Sequence, residues 1–338
     1  MSIRRAWAGV GWGFAAATLV LAALCPILFS TYFTSAVAVT VLWTGLAAAS
    51  LAFLAGYAGM VSLAQTALFG VAAFVTAKLT VDSHWNGWWA AAAAVAIAVG
   101  VGVVFGAIAS GSEGIYFLMI TLAFAVITYY YFSQVPTFGA HEGINGVMPP
   151  RVLGDPVLHP TRMYYAALLC CLAVYLAVRY VGRSAFGLAL QGVRDDPVRM
   201  SALGYHVRLH RTAGFAAGAA IAALAGVLSV WHNTRISPGS IDLTRTIDIL
   251  VIAVIGGLYR LEGAWIGAFV FVTLDTYARG ISDRFETYIG LIFLAIVVVS
   301  PDGVMGVWRT LDRHIRGYTG GRGRPPEGLT APSEEAPG

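Results

Sequence analysis

An all-α, polytopic membrane fold is predicted by three observations. The 338 residues are 58% hydrophobic and only 11% charged, whereas soluble domains carry roughly a quarter charged residues. Mean hydropathy is +0.74. Apolar runs of spanning length, about 20 residues in a helix, recur along most of the chain between short loops.

Taken in order, ten spans are placed at 10–29, 35–55, 61–80, 88–109, 115–133, 162–181, 211–231, 246–257, 263–280 and 286–300. The start, Met1-Ser2-Ile3-Arg4-Arg5 and then an apolar run, resembles a signal peptide but lacks a small-residue cleavage site, so 10–29 reads as a retained span. The long loops are 134–161, 182–210 and 232–245. With the N-terminus inside, 14 of the 21 Lys and Arg residues fall on the cytoplasmic side and 7 outside. The reverse orientation inverts that bias, so positive charge places both termini in the cytoplasm. The net charge of +4 is therefore a topology signal and implies no nucleic-acid partner. Residues 1–308 form the membrane domain. Beyond them 309–338 is basic and then rich in Gly, Pro and Glu, which reads as a disordered cytoplasmic tail.

The loop 182–210 is a charged island in a membrane-like chain, and it carries Arg194-Asp195-Asp196-Pro197 and then Arg199. Asp196 followed by Pro197 starts a helix: the carboxylate caps free N–H groups, and proline's fixed φ suits the first helical position. Gly204 supplies a stop by taking the left-handed conformation. One short helix, Val198 to Leu203, is expected between them. So short a helix is not stable alone and needs a surface to dock on. The blander reading is that these arginines only fix topology.

The span 246–257 reaches only about 18 Å, against a hydrocarbon core of about 30 Å, and ends at Gly256-Gly257. A second break lies at Gly56-Tyr57-Ala58-Gly59, before Ser62 and Gln65. Short, glycine-interrupted segments point to a transport pathway; tight turns between helices are the equal alternative. On this basis Gly56, Gly59, Ser62, Gln65, Thr121, Asp248, Gly256 and Gly257 are the expected pathway residues. Ionisable residues within spans are few, and Asp248 and Asp275 qualify as candidates. An intramembrane carboxylate is a functional candidate by default, though Asp248 lies near a span end and Asp275 has Arg279 one turn on. Glu113 reads as a helix-dipole partner of the fifth span.

Gly214, Gly218, Ala222 and Gly226, each four apart, make a smooth stripe for close helix packing. Gly102, Gly106 and Ser110 repeat the pattern. Cys25, Cys170 and Cys171 sit in apolar runs and read as small core residues. His206 and His210 have metal-compatible spacing, but they lie among Arg208 and Arg211 in a basic membrane flank, so no metal site is assigned. No G-x-x-x-x-G-K-[ST] phosphate loop occurs, so no cofactor, ATP included, is expected on this chain. Nothing resembles a paired nucleophile and base, and the chain is not read as an enzyme.

An ordered set of motifs resembles the permease family of bacterial branched-chain amino-acid ABC importers, in particular the LivM-type subunit. It comprises Gly56 to Gln65 (GYAGMVSLAQ), Gly114 to Phe124 (GIYFLMITLAF), Gly143-Ile144-Asn145-Gly146, Phe186 to Gly204, Ser237-Pro238, Gly256-Gly257-Leu258, Gly263 and Gly267-Ala268. The resemblance implies an inner-membrane translocation subunit that pairs with a second, related permease. It implies two cytoplasmic ATPase subunits holding ATP and Mg, and an outer binding protein that delivers substrate. The island helix, with Arg194, Asp195, Asp196, Pro197, Arg199, Leu203 and Gly204, would then dock on an ATPase. Urea permeases are close relatives, so urea and short amides stay open as substrates. An ion-coupled secondary transporter using Asp248 or Asp275 is the reading from a different class.

Overall fold

The computed structural model describes residues 33–156, 158–278 and 290. Its helices are α1 (Val39–Phe53), α2 (Gln65–Val81), α3 (Gly87–Ala109), α4 (Gly114–Gln134), α5 (Pro160–Arg183), α6 (Ala185–Asp195), α7 (Pro197–Ala202), α8 (Val207–Asn233), α9 (Leu243–Gly256) and α10 (Leu261–Ala278). π-helical turns Thr34–Ala38 and Leu54–Ala58 extend α1 at both ends. Within the described residues the expected spans from 35–55 to 263–280 each correspond to a helix. Among the described residues five apolar stretches are long enough to cross a membrane: Val39–Ala58, α3, α4, α5 and α8. The expected span 10–29, all but Gly290 of 286–300, residues 279 and 280, and the tail lie outside the described residues.

Two features depart from the sequence reading. The all-α fold contains a two-residue antiparallel ribbon, β1 (Ile144–Asn145) on β2 (Arg235–Ile236), with Ile144 opposite Ile236. The charged island holds two helices, not one. Ser184 caps α6 by accepting from the Gly187 N–H at 3.3 Å, and Phe186, Ala189, Leu190 and Val193 recur on one helical face. Leu190 and Val193 are fully buried. The second helix, α7, is the expected one displaced by a single residue, and Asp196 accepts from the Arg199 N–H at 2.9 Å.

The long helix α8 is the axis of the packing. Its 27 residues reach about 40 Å, from the island hairpin at one end to the ribbon at the other. Its small residues let neighbours come to backbone distance. A Cβ on Gly226 would strike the Phe69 carbonyl of α2, one on Gly218 would strike Leu54, and one on Gly214 would lie 3.1 Å from Leu190. Ala222 is fully buried on the same stripe. From α3, Gly102 and Gly106 receive Ala219 and Phe215. Lipid tails supply no hydrophobic drive for helix association, so this close dispersion contact is what holds the bundle. Cys171 is buried with its Sγ 3.4 Å from the Leu42 carbonyl, and Cys170 beside it is also free.

At the ribbon end, Lys78 bonds Asp82 at 3.1 Å and the Thr137 carbonyl at 2.7 Å. Val147 donates to the Thr234 carbonyl at 2.9 Å, next to the ribbon. At the hairpin end, Arg211 reaches Glu113 at 2.7 Å. Glu113 stands at the start of α4, where a helix-dipole partner is expected; its carboxylate caps no N–H there, and it also ties α4 to α8.

Candidate functional site: a capped hairpin and the helix breaks behind it

The hairpin α6–α7 projects from the bundle between α5 and α8. Its inner face is apolar and its rim is stitched to the core. Arg194 pairs with Asp195 at 2.7 Å and donates through Nη1 to the Gly56 carbonyl. Gly59, at φ +68, carries no Cβ because the Arg194 side chain occupies that space. Tyr57 fills the space opposite Gly182, just before α6. The short helix α7 ends in a Schellman turn: Tyr205 donates to the Met200 carbonyl at 3.1 Å, and Gly204 to the Ser201 carbonyl at 3.0 Å. Gly204 has φ +88 and open space around it. The two caps fix a helix whose outer side is apolar and uncovered: Val198 is 76% exposed and Leu203 68%, with Arg199 also exposed.

The eight residues expected along a pathway divide into groups. Gly56 and Gly59 meet the hairpin, as above. Gly56 also lies against the corner between α9 and α10, where a Cβ would sit 3.2 Å from the Tyr259 carbonyl. Gly256 packs on the Gly263 carbonyl in that same corner, and Gly257, at φ +109, ends α9. Thus the two glycine breaks adjoin each other at the hairpin end.

Ser62, Gln65 and Thr121 form a second group around the start of α2, all buried. The chain from Met60 to Ala64 is non-helical there. Thr121 accepts the Leu63 N–H at 3.2 Å and Ser62 Oγ accepts the Ala64 N–H at 3.2 Å. Gln65 is 2% exposed, and neither end of its amide has a hydrogen-bond partner. Irregular backbone at membrane depth is tolerated only where protein or a water-filled cavity surrounds it; Thr121 is part of that surround. Replacing Thr121 with Val keeps the shape but orphans the Leu63 N–H. The cost is expected to be about 1–3 kcal/mol, read as a lower midpoint of thermal unfolding in detergent.

Asp248 stands apart from both groups, paired with Arg245 at 3.3 Å on α9. Asp275 lies on α10, and its expected partner Arg279 is outside the described residues. His210 Nδ1 lies 3.0 Å from the His206 carbonyl, which occupies that ring nitrogen. Among the described residues no group of three or more His, Cys, Asp or Glu is placed to hold a metal ion.

The sequence reading missed a cluster joining α5 to α10. Arg179 donates to Glu262 at 3.0 Å and to the Tyr175 hydroxyl at 2.7 Å, and that hydroxyl donates to Glu262 at 3.0 Å. These residues are 83 apart in sequence for Arg179 and Glu262. An Arg in the last turns of one span and a Glu in the first turn of another were the available signals, but nothing in the chain pairs them.

With this geometry in view, the family model for "Branched-chain amino acid transport system / permease component" matches residues 33–301. The chain belongs to that family. It is similar to the high-affinity branched-chain amino acid transport system permease protein LivM of Escherichia coli, at 21% identity over 88% of this chain and 75% of the relative. It is also similar to a probable branched-chain amino acid transport permease protein LivH of Methanocaldococcus jannaschii, at 28% over 44% of this chain and 49% of that one. A third relative is the permease protein BraD of Pseudomonas aeruginosa, at 24% over 46% of this chain and 52% of that one. No solved structure matches. The permease is therefore a multi-pass membrane protein whose family work is translocation.

Proposed function

We propose that this permease is the membrane-spanning translocation subunit of an ATP-driven importer of branched-chain amino acids of the leucine, isoleucine and valine type, in a bacterial inner membrane. The observation that carries the reading is the hairpin α6–α7. It is capped at both ends of α7, locked to the core through Arg194, and presents Val198 and Leu203 uncovered. An exposed apolar pair on a rigid six-residue helix suits insertion into a groove on another protein. In an ATP-driven importer whose permease carries no phosphate loop, ATP is held by a separate subunit, and in this reading that ATPase is the partner the hairpin serves.

In this reading the hairpin end is cytoplasmic, ten spans cross the membrane, and both termini lie inside. Residues 1–308 are the permease domain, with 182–210 as its coupling segment, and 309–338 are a cytoplasmic tail. Two ATPase subunits bind below, a second related permease completes the pathway, and a binding protein delivers substrate at the ribbon end. ATP-driven closure of the ATPase pair pushes on α6 and α7. Because Arg194 holds Gly56, and Gly56 adjoins Tyr259, the push reaches both glycine corners as a rigid-body movement.

The test is uptake of radiolabelled leucine into proteoliposomes holding the permease, its partner permease and the ATPases, with binding protein and ATP supplied. Uptake is expected only with ATP and both ATPases. Uptake driven by a proton or sodium gradient without ATPases would overturn the reading in favour of an ion-coupled carrier. Competition by urea or short amides, with none by valine or isoleucine, would move the substrate assignment.

A further inference from the structure

The segment before α9 runs in from the ribbon without being α-helical. From the ribbon at Arg235–Ile236 the chain makes a 3-10 turn, Pro238–Ser240, and starts α9 at Leu243. Three helix lengths fix how far that start lies from the two ends of the bundle. α9 has 14 residues, which places Asp242 about 21 Å from the hairpin end. Ile241 packs against Gly70 of α2, about 16 Å below the end of α2 at Val81. The cleft beside it is lined by Ala125, about 14 Å below the end of α4 at Gln134. In the importer reading, which makes the ribbon end and the hairpin end the two membrane faces, the start of α9 lies inside a hydrocarbon core about 30 Å thick.

At that depth lies an open cleft of about 280 Å³ between α4 and α9. One side is Ala125, Val126, Tyr129 and Tyr130; the other includes Asp242 and Thr244. Asp242 Oδ1 caps α9 by accepting the Arg245 N–H at 2.8 Å. On the adjoining surface, the Arg245–Asp248 pair has side chains 50% and 26% exposed. Ionisable groups at this depth do not face lipid: they face water, a solute or protein. Exposed irregular backbone obeys the same rule.

We propose that this cleft is where the transported amino acid is held within the membrane. This rests on the importer reading above. The α-ammonium group faces the Asp242 carboxylate. The α-carboxylate takes donors from the Thr244 hydroxyl and the first turn of α9. The branched aliphatic side chain lies on Ala125 and Val126. The volume falls just below the roughly 300 Å³ at which small-molecule sites usually begin, a size that suits a single amino acid. The ligand class is a zwitterion with an aliphatic side chain, and an acid lacking the ammonium group is excluded.

Two variants test this in the reconstituted complex, with the chain's three cysteines replaced by alanine. Thr244→Cys is expected to react with a charged methanethiosulfonate reagent during ATP turnover. Leucine slows the reaction, and 4-methylpentanoate, which lacks the ammonium group, does not. Asp242→Asn keeps the helix cap, since Asn caps as well as Asp, and removes the charge. It is expected to raise the leucine concentration for half-maximal uptake about tenfold or more through loss of a charge-assisted contact. No labelling of Thr244→Cys would mean that the face is sealed by lipid or by the second permease, and would overturn the proposal. So would equal protection by both compounds, or an Asp242→Asn variant with unchanged half-saturation. Should the parent complex itself fail to take up leucine with ATP, the importer reading falls and the cleft assignment falls with it. Normal parental uptake with failed variants removes the cleft alone.

Discussion

Replacing Gly256 with Val is expected to cost more folded permease than any other single change considered. A Cβ at Gly256 would land on the Gly263 carbonyl, and one at Gly263 would land on the Gly256 carbonyl. One turn along, Gly267 sits on the Ile252 carbonyl. No flexible side chain stands in the way that could swing aside; the obstacle is backbone on both helices. Relief requires α9 and α10 to separate. That disturbs α10 on α1, where Trp265 occupies the space over Gly45. Ordinary overpacking costs about 1–3 kcal/mol; a helix–helix backbone contact belongs at or above the top of that range. The expected result is a large loss of monodisperse protein after detergent extraction and a fall in thermal midpoint of many degrees. Gly100→Ala is the control. Gly100 lies in α3 with nothing within 4 Å of a Cβ, and Ala is the better helix former, so that variant should be as stable as the parent or slightly more so. Equal effects from the two substitutions would show that the α9–α10 contact does not limit stability.

Gly256 also shows what the sequence disclosed and what it hid. Spans were legible because lipid demands long apolar helices, and that demand is written in composition. Boundaries at α7 were legible because Asp196-Pro197 and Gly204 act locally, through a side-chain cap and a left-handed residue. The helix α6 was hidden by its charge. Arg194 and Asp195 drew attention to the island, while the apolar face of Ala189, Leu190 and Val193 is short and reads as a helix only once α8 is there to receive it. Depth was hidden as well. The two glycine breaks looked like interruptions within the membrane. In three dimensions Gly56 and Gly256 lie in adjoining corners at the hairpin end, because α1, α9 and α10 have that end in common. Conversely Arg245 and Asp242 looked like loop residues near a span end. The structure puts them at the cap and in the first turn of α9, next to Ile241, which packs on Gly70 about three turns along α2 from its end at Val81.

These positions set which elements a movement of the hairpin would meet, which no motif supplies. α6 is covalently continuous with α5, and α5 is tied to α10 through Arg179 and Glu262. It is also bonded through Arg194 to Gly56, whose other neighbour is Tyr259. A displacement of α6 therefore meets the α9–α10 pair by two routes, one along α5 and one through the end of α1. The ion pair is about 40% exposed on both sides, so its worth as stability alone is small. Its effect belongs to geometry: it sets where the start of α10 sits relative to α5. The far end of α9 is the start that borders the cleft. The hairpin end and the cleft thus lie at the two ends of one short helix, α9.

The second large effect expected is on coupling, from Gly204→Val. Gly204 closes the turn between α7 and α8 at φ +88, and space around it is open. A side chain there meets no neighbour, so the bundle has no steric reason to unfold. The backbone, however, resists. A left-handed conformation costs an L-residue roughly 1–2 kcal/mol, and a β-branched residue is a clear outlier there. The turn is expected to relax, breaking the Tyr205 to Met200 bond and re-aiming Val198 and Leu203. Membrane insertion and thermal midpoint should stay near the parent values, while ATP-dependent leucine uptake falls at least tenfold, a change of about 1.4 kcal/mol or more in the coupled step. Co-purification of the ATPases should weaken in parallel. Gly204→Asn separates conformation from bulk, because Asn adopts the left-handed region far more readily. It should retain most of the uptake that Val loses. A Val variant that transports normally with its ATPases bound would remove the docking role from α7. An Asn variant as inactive as Val would place the requirement in the absence of any side chain rather than in the turn.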